Sequence, residues 1–363
     1  MRILHILNHI REVGNGIVNV AVDLACLQAQ AGHQVAVASN GGEYETLLAQ
    51  YGVEHWPLNQ TRRWKNLAGA ASQYRTIIYQ CQPDIVHAHM MTGVVLAKLL
   101  KFAARYRLIS TVHNEFQRSA LLMGWADQAI AVSEAVAQSM HQRGIPLAKL
   151  STIRNGPVGS PRQLPIAQVE PLPLQKPAVV TVAGLNPRKG ISTLIEGFNQ
   201  VALAFPQAHL YIVGEGPDRA KFEQQARNSK ANDRIHFEGF QPEPQRYLLA
   251  ADVFVLASVQ EPFGLVLAEA RAAGCAIVAS RVDGIPEALD MGAAGWLVPP
   301  ADSGAIAQAV TRLLEDSDLR QLWQQKAQRN LENLSAQRMS EETLALYKKE
   351  ITSHSLNRIP LLQ

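Results

Sequence analysis

The sequence is poor in the features that staple small secreted domains or anchor a chain in a bilayer. Three cysteines, Cys26, Cys81 and Cys275, lie far apart among 363 residues. An odd number with no CxxC spacing excludes a disulfide framework and a thiolate metal site, and reads as reduced core thiols of a cytoplasmic protein. No apolar run is long enough to cross a membrane. The opening segment MRILHILNHI is too short and too polar for the apolar stretch of a secretory signal and reads as a first strand. No DxD sequence follows a strand; Asp316-Ser317-Asp318 has the pattern but joins two helical stretches, where an N-cap is the expected role, so no metal ligands are assigned. The basic excess is modest and no aromatic-interleaved basic motif is present, which excludes a nucleic-acid partner.

What is there suits two cores. Apolar residues make up 47 % and charged residues 18 %, over a length comfortable for two domains. The net charge of +3 conceals an asymmetry: up to Lys176 there are 16 Lys+Arg against 10 Asp+Glu, and beyond it 18 against 21. Part of the front excess is local. Arg62, Arg63 and Lys65 flank Trp64, and Lys98, Lys101 and Arg105 recur at spacings of three and four in GVVLAKLLKFAARY, as on one face of a helix. Such patches meet phosphates or an anionic membrane surface; a solvated helix face is the alternative.

Along the chain, apolar strands alternate with amphipathic stretches. MRILHIL, HQVAVAS, DIVHAHM, YRLISTVH, QAIAVS and STIRN read as strands, with helical periodicity in between. Residues 156–177 carry six prolines, which forbid a helix or a central strand, and read as a linker. The alternation restarts at AVVTVAGL, runs through LYIVGEG, RIHFEG, VFVLASV and AIVAS, treats DGIPEAL as a turn, and ends in three helical segments. The fold class is α/β: two tandem doubly wound, Rossmann-like domains with parallel sheets, facing a cleft that receives the ligand. The expected boundaries are 1–160, a linker 161–177 and 178–338, with a terminal helix near 340–354 returning to the first domain.

Gly14-Asn15-Gly16 sits between the first strand and first helix, where glycines permit a tight turn and close approach of an anion to the helix N-terminus. The third glycine of the dinucleotide fingerprint is absent, and Ser39-Asn40-Gly41-Gly42 stands where a nicotinamide enzyme has an acidic ribose ligand. Arg188 and Lys189, in NPRKG, place two cations between a strand and a helix, which suits a diphosphate; an exposed polar loop is the alternative. In EPFGLVLAE, Pro262 keeps Glu261 out of a helix and Gly264 permits an irregular turn. Glu261 then lies in an exposed loop beyond VFVLASV, and Glu269 lies deeper, in an apolar helix. A carboxylate there needs specific donors, and the vicinal hydroxyls of a sugar or ribose supply them. The N–H groups of Phe263, Gly264 and Leu265 would face an anion between the two carboxylates. A surface glutamate on an ordinary helix remains the local alternative.

These motifs are collinear with a family. EPFGLVLAEARAAG, DGIPEAL and GWLVPPAD, with GNGIVNVAVDLACLQAQAG, PDIVHAHM, STVHNEF, LNPRKG and LYIVGEGP, resemble the retaining glycosyltransferases of family 4, of the GT-B class. The resemblance implies a glycosyltransferase that moves a hexose from a UDP- or GDP-linked sugar to an acceptor hydroxyl with retention, without a metal. The acceptor would be a lipid-linked or small-molecule glycan, with peripheral contact to an anionic inner membrane face. It implies catalytic roles for Glu261, His113 and Lys189, and donor binding by Gly14, Gly16, Arg188, Lys189, Phe263, Gly264, Leu265 and Glu269. His87 and His89 would serve strand packing and the cleft wall. One departure stands out: Gly184 occupies the place of the family's phosphate-binding arginine, with Arg188 as the candidate substitute. A nucleotide-sugar epimerase of the same fold and a non-catalytic nucleotide-sugar binder are the alternatives.

Overall fold

A computed structural model describes residues 1–60, 64–101 and 104–356. The chain divides into two compact units, Met1–Arg162 with Ser335–Gln363, and Gln163–Leu334.

The first unit holds seven strands: β1 (Arg2–Ile6), β2 (Gln34–Ser39), β3 (Glu54–Pro57), β4 (Ile85–Ala88), β5 (Arg107–Val112), β6 (Gln128–Ala131) and β7 (Leu150–Thr152). Their order is β3-β2-β1-β4-β5-β6-β7 and every pairing is parallel. Parallel strands need crossovers, supplied by α1 (Gly16–Gln30), α2 (Glu45–Gln50), α3 (Trp64–Cys81), α4 (Met91–Leu99) and α5 (Glu134–Gln142), together with a 3-10 segment, Arg118–Trp125. The central strands are apolar on both faces because helices cover both; β1, for example, buries Ile3, Leu4 and Ile6. Strand β3 and helix α2 were not legible in the sequence. EHWP carries Glu54 and Pro57 without apolar alternation, as an edge strand allows, and six residues are too few for a helical period.

The structure corrects the basic helix face. Helix α4 stops at Leu99, so Lys98, Lys101 and Arg105 do not share one face of a helix. The reason lies in Tyr106, which is fully buried, donates to the Ala97 carbonyl at 2.5 Å and accepts from the Tyr74 hydroxyl at 2.9 Å. That anchor turns the chain into β5. Lys101 donates to Asp127 at 2.9 Å, which neutralises part of the patch. Arg62, Arg63 and Phe102 lie outside the described residues.

The second unit holds β8 (Ala178–Val182), β9 (His209–Val213), β10 (Ile235–Gly239), β11 (Val253–Leu256), β12 (Ala276–Ser280) and β13 (Trp296–Val298), in the order β10-β9-β8-β11-β12-β13, again all parallel. Its helices are α6 (Ile191–Ala204), α7 (Arg219–Arg227), α8 (Gln245–Ala250), α9 (Leu265–Ala272), α10 (Ile285–Ala288), α11 (Ser303–Glu315) and α12 (Ser317–Ala327). Val179, Ile212, Val255 and Val278 from the strands close a core with Leu194 and Phe198 of α6 and Ile306, Val310 and Leu313 of α11. DGIPEAL forms the short helix α10 rather than a plain turn. Asp316 caps α12, its side chain accepting from the Leu319 N–H. The proline-rich stretch admits one 3-10 turn, Ile166–Gln168, entered through Pro165.

Helix α13 (Ala336–Leu356) returns to the first unit and packs on α1. The entry to it is pinned by the Ala336 N–H donating to the Val158 carbonyl at 2.8 Å. Beside this segment, the buried Asp23 of α1 accepts from Arg162 Nε at 2.8 Å, Arg162 Nη2 at 3.0 Å and Ser160 Oγ at 2.6 Å. Two parallel N–H donors on one carboxylate make a strong pair, and removing one partner strands the other charge in the core. Arg162→Met is expected to cost the first unit about 3–5 kcal/mol. Native-state hydrogen exchange at α1 amides measures it; unchanged protection would contradict the assignment.

Candidate active site

In doubly wound sheets the crevice opens where the strand order reverses, because neighbouring loops leave in opposite directions there. In the second unit that point lies between β8 and β11. The loop after β8 carries Arg188 and Lys189; the loop after β11 carries Ser258 and Glu261. The structure brings Lys189 and Glu261 into contact: Lys189 Nζ donates to Glu261 Oε2 at 2.5 Å. Ser258 Oγ donates to the same oxygen at 3.1 Å.

Glu261 is buried, with only 6 % of its surface exposed, which corrects the expectation of an exposed loop carboxylate. Two backbone bonds hold it there: its N–H donates to Asp283 Oδ2 at 2.8 Å, and its carbonyl accepts from the Gly284 N–H at 3.0 Å. Burial, with Glu261 adding to it, raises the Asp283 carboxyl above its ordinary value, while the Glu261 N–H opposes the rise. Ser258 and Asp283 were missed as site residues. Asp283 opens DGIPEAL, a motif visible in the sequence whose contact with Glu261 was not; Ser258 carries no local signal.

Gly190 lets the Lys189 loop approach. Its φ is +64° and an added Cβ would lie 1.9 Å from the Ala257 carbonyl oxygen, so the loops after β8 and β11 are in direct backbone contact. The Arg188 carbonyl accepts from the Val259 N–H at 2.7 Å. Gly264, at φ +85°, is the N-cap of α9, and the first-turn N–H groups of that helix lack intrahelical acceptors. Leu265 is its first residue, and the Phe263 side chain is locked in the core. Glu269 lies one turn further, half-buried, accepting from Gln163 Nε2 at 3.0 Å. Gly184 is exposed, and an added Cβ would meet nothing nearer than 3.4 Å, from the Asn186 side chain.

In the first unit the order reverses between β1 and β4. Gly14 turns at φ +65° and Gly16 opens α1, whose N-cap Asn15 accepts from the Ile17 N–H. Histidines cluster at this point. His5 and His87 are register partners on β1 and β4, His89 follows β4, and the half-buried His113 follows β5. His5 Nδ1 meets His89 Nε2 at 3.0 Å, and His89 Nδ1 meets His113 Nε2 at 3.2 Å. His87 is bonded to Tyr347 of α13 at 2.5 Å and to Thr111 at 2.6 Å. His5, His87 and His89 each offer a nitrogen within 4.8 Å of the others. Their geometry is that of a hydrogen-bonded network rather than a metal centre. Every ring nitrogen of the three already has a partner, and His87 is tilted against His89 with centroids 4.1 Å apart and planes 30° apart. Their in-plane lone pairs therefore do not converge on one ion.

Burial lowers His5 to about 4 and His113 to about 3, and holds His87 and His89 well below the ordinary range. All four rings are neutral at pH 7.

Fold and site together define the GT-B class of glycosyltransferases, built from two parallel-sheet Rossmann-like units. Residues 164–330 match the family model of glycosyl transferases group 1 and residues 14–157 that of glycosyltransferase family 4, and the chain belongs to these glycosyltransferases. Among curated relatives, it is 24 % identical to N-acetyl-alpha-D-glucosaminyl L-malate synthase of Bacillus anthracis, over 92 % of each chain. It is 26 % identical to phosphatidyl-myo-inositol mannosyltransferase of Mycolicibacterium smegmatis, over 88 % of this chain and 86 % of that one. Among solved structures, Anabaena Alr3699/HepE in complex with UDP and glucose superposes with a TM-score of 0.80 at 21 % identity, covering 96 % of this chain and 99 % of that one.

The buried histidines make stability depend on pH. An unfolded chain protonates them near 6.5, whereas the folded state holds His5 neutral to about pH 4. The unfolded state thus binds more protons in that window, so stability is full above pH 6.5 and falls as the pH drops. Each fully buried ring contributes a slope of up to about 1.4 kcal/mol per pH unit. Urea unfolding between pH 7.5 and 5 checks this; a flat profile, or one unchanged by His87→Phe, would contradict it.

Proposed function

We propose that the protein transfers a sugar from a nucleoside diphosphate sugar to an acceptor hydroxyl with retention of anomeric configuration and without a metal ion. The observation that carries this reading is the Lys189–Glu261 pair at the β8/β11 switch point. A donor diphosphate draws the Lys189 ammonium, with Arg188 beside it, and frees the Glu261 carboxylate to accept hydroxyls of the donor sugar. The N–H groups of Phe263, Gly264 and Leu265 meet sugar and phosphate, and Glu269 exchanges Gln163 for the ribose. Gly14 and Gly16 admit the donor phosphates or the acceptor at the start of α1, and His113 contacts the transferred sugar.

Cleavage of the anomeric bond places negative charge on the leaving diphosphate, where preorganised cations and helix N-termini stabilise it. The leaving phosphate takes the acceptor's proton on the same face, so no protein nucleophile is required and Glu261 orients the sugar. Support for a nucleotide-linked donor comes from the family match and from the UDP-bound solved relatives; the proposed base is uracil or guanine. The acceptors named for the relatives differ, malate in one and a phosphatidylinositol in another, so a lipid-linked or small-molecule acceptor fits equally. We propose a cytoplasmic location, with contact to an anionic inner-membrane face through the basic Arg62–Lys65 segment.

Glu261→Ala is expected to abolish transfer and, because it leaves a half-buried ammonium unpaired, to lower stability by about 1–3 kcal/mol. Transfer assays and thermal unfolding read the two effects separately; full transfer activity would remove Glu261 from the site. Gly184 weakens the phosphate clamp relative to the family and favours a second reading, a binder with little turnover. The open space at Gly184 admits a side chain, so Gly184→Arg is expected to tighten nucleoside diphosphate binding about tenfold, the worth of one charge-assisted hydrogen bond. Calorimetric titration measures it, and unchanged affinity would show that Arg188 already fills the role. Donor cleavage is expected to survive EDTA; a strict need for magnesium or manganese, restored on adding the ion, would overturn the site.

A further inference from the structure

The histidine chain of the first unit has a direction. Neutral imidazole has one N–H donor and one lone-pair acceptor, so each link determines the next. The chain ends on Gln28 of α1, whose Oε1 lies 2.9 Å from His5 Nε2. The Gln28 nitrogen is buried and has no hydrogen-bond partner among the described residues. A carbonyl oxygen can only accept. His5 therefore donates through Nε2 and accepts at Nδ1; His89 donates through Nε2 to His5 and accepts at Nδ1; His113 donates through Nε2 to His89. That leaves His113 Nδ1 as a lone pair.

We infer that Gln28, His5 and His89 are positioning residues that lock His113 in its neutral Nε2–H tautomer and present Nδ1 as an acceptor for a hydroxyl of the transferred sugar or of the acceptor. The inference rests on the reading of His113 as a group that contacts the sugar. No charged side chain takes part in the chain: its flank is His87, tilted against His89 and bonded to Tyr347 and Thr111. Burial keeps the rings uncharged, which matches the chemistry. A cationic imidazolium would oppose the positive charge that develops on the sugar ring, whereas a lone pair accepts from a hydroxyl without that penalty. Without the anchor at Gln28, the two opposite directions of the chain become alternatives, and His113 would present donor and acceptor in turn.

The test is imidazole nitrogen NMR on the full chain, which distinguishes the two tautomers and the cation. His5, His89 and His113 are all expected as Nε2–H with unprotonated Nδ1, unchanged from pH 8 to 5.5. An Nδ1–H form, a cation or an averaged signal at His113 would overturn the inference. His89→Gln keeps one acceptor and one donor in the chain, and is expected to preserve the His113 tautomer and kcat. His89→Leu is expected to average the tautomers and lower kcat about tenfold, with KM for the donor changed less than about twofold. Equal losses in the two variants would reduce His89 to a structural role. Normal transfer by His113→Ala would instead remove His113 from the site; a wrong tautomer together with transfer lost in His113→Ala would overturn the chain alone.

Discussion

Parallel pairing between strands that are not consecutive in sequence is the constraint on which the molecule rests. β1 lies between β2 and β4, and β8 lies between β9 and β11. Each such placement sends one crossover to each face of the sheet, buries the strands on both sides and parts the loops at their carboxyl ends. The two chemically dense regions of the chain sit at these two points. Around β8 and β11 it is Lys189, Glu261, Ser258 and Asp283; around β1 and β4 it is the histidines. Polar groups can meet there because the loops part at the carboxyl ends of the strands and leave the apolar layers uninterrupted.

The two regions solve burial differently. In the second unit, a carboxylate and an ammonium are drawn out of water together and bonded to each other, which holds both charges. In the first unit burial discharges the rings, and neutral donors and acceptors are matched one to one. In the proposed reaction the charged pair would meet a diphosphate and the neutral chain would meet hydroxyls. The buried Asp23–Arg162 pair belongs to neither, since it joins α1 to the stretch after β7, with Ser160 and two nitrogens of Arg162 bonded to Asp23.

Much of this was legible beforehand. The alternation of apolar strands with helical stretches carried the two parallel sheets, because strands covered on both faces read as continuous apolar runs. NPRKG and EPFGLVLAE showed themselves through residues that are costly in their settings: paired cations at a helix start, and carboxylates bracketing an apolar helix. Elements whose form depends on neighbours were not legible. β3 exists only because β2 offers an edge, and α4 stops at Leu99 because Tyr106 is anchored against Tyr74 and Ala97. Helical spacing at Lys98, Lys101 and Arg105 carries no trace of that anchor.

The sequence by itself determined the order of strands and helices, the residue types at the loops after β8 and β11, and the family to which their spacing belongs, since these follow from local periodicity and composition. Only the tertiary structure decided that Glu261 is buried rather than exposed, that Lys189 is its partner across 72 positions, and that His5, His89 and His113 form one chain ending on Gln28. Burial, ion pairing and tautomer depend on which distant atoms crowd a group and exclude water from it. That information lies in the packing of the sheets, and no window of the sequence contains it.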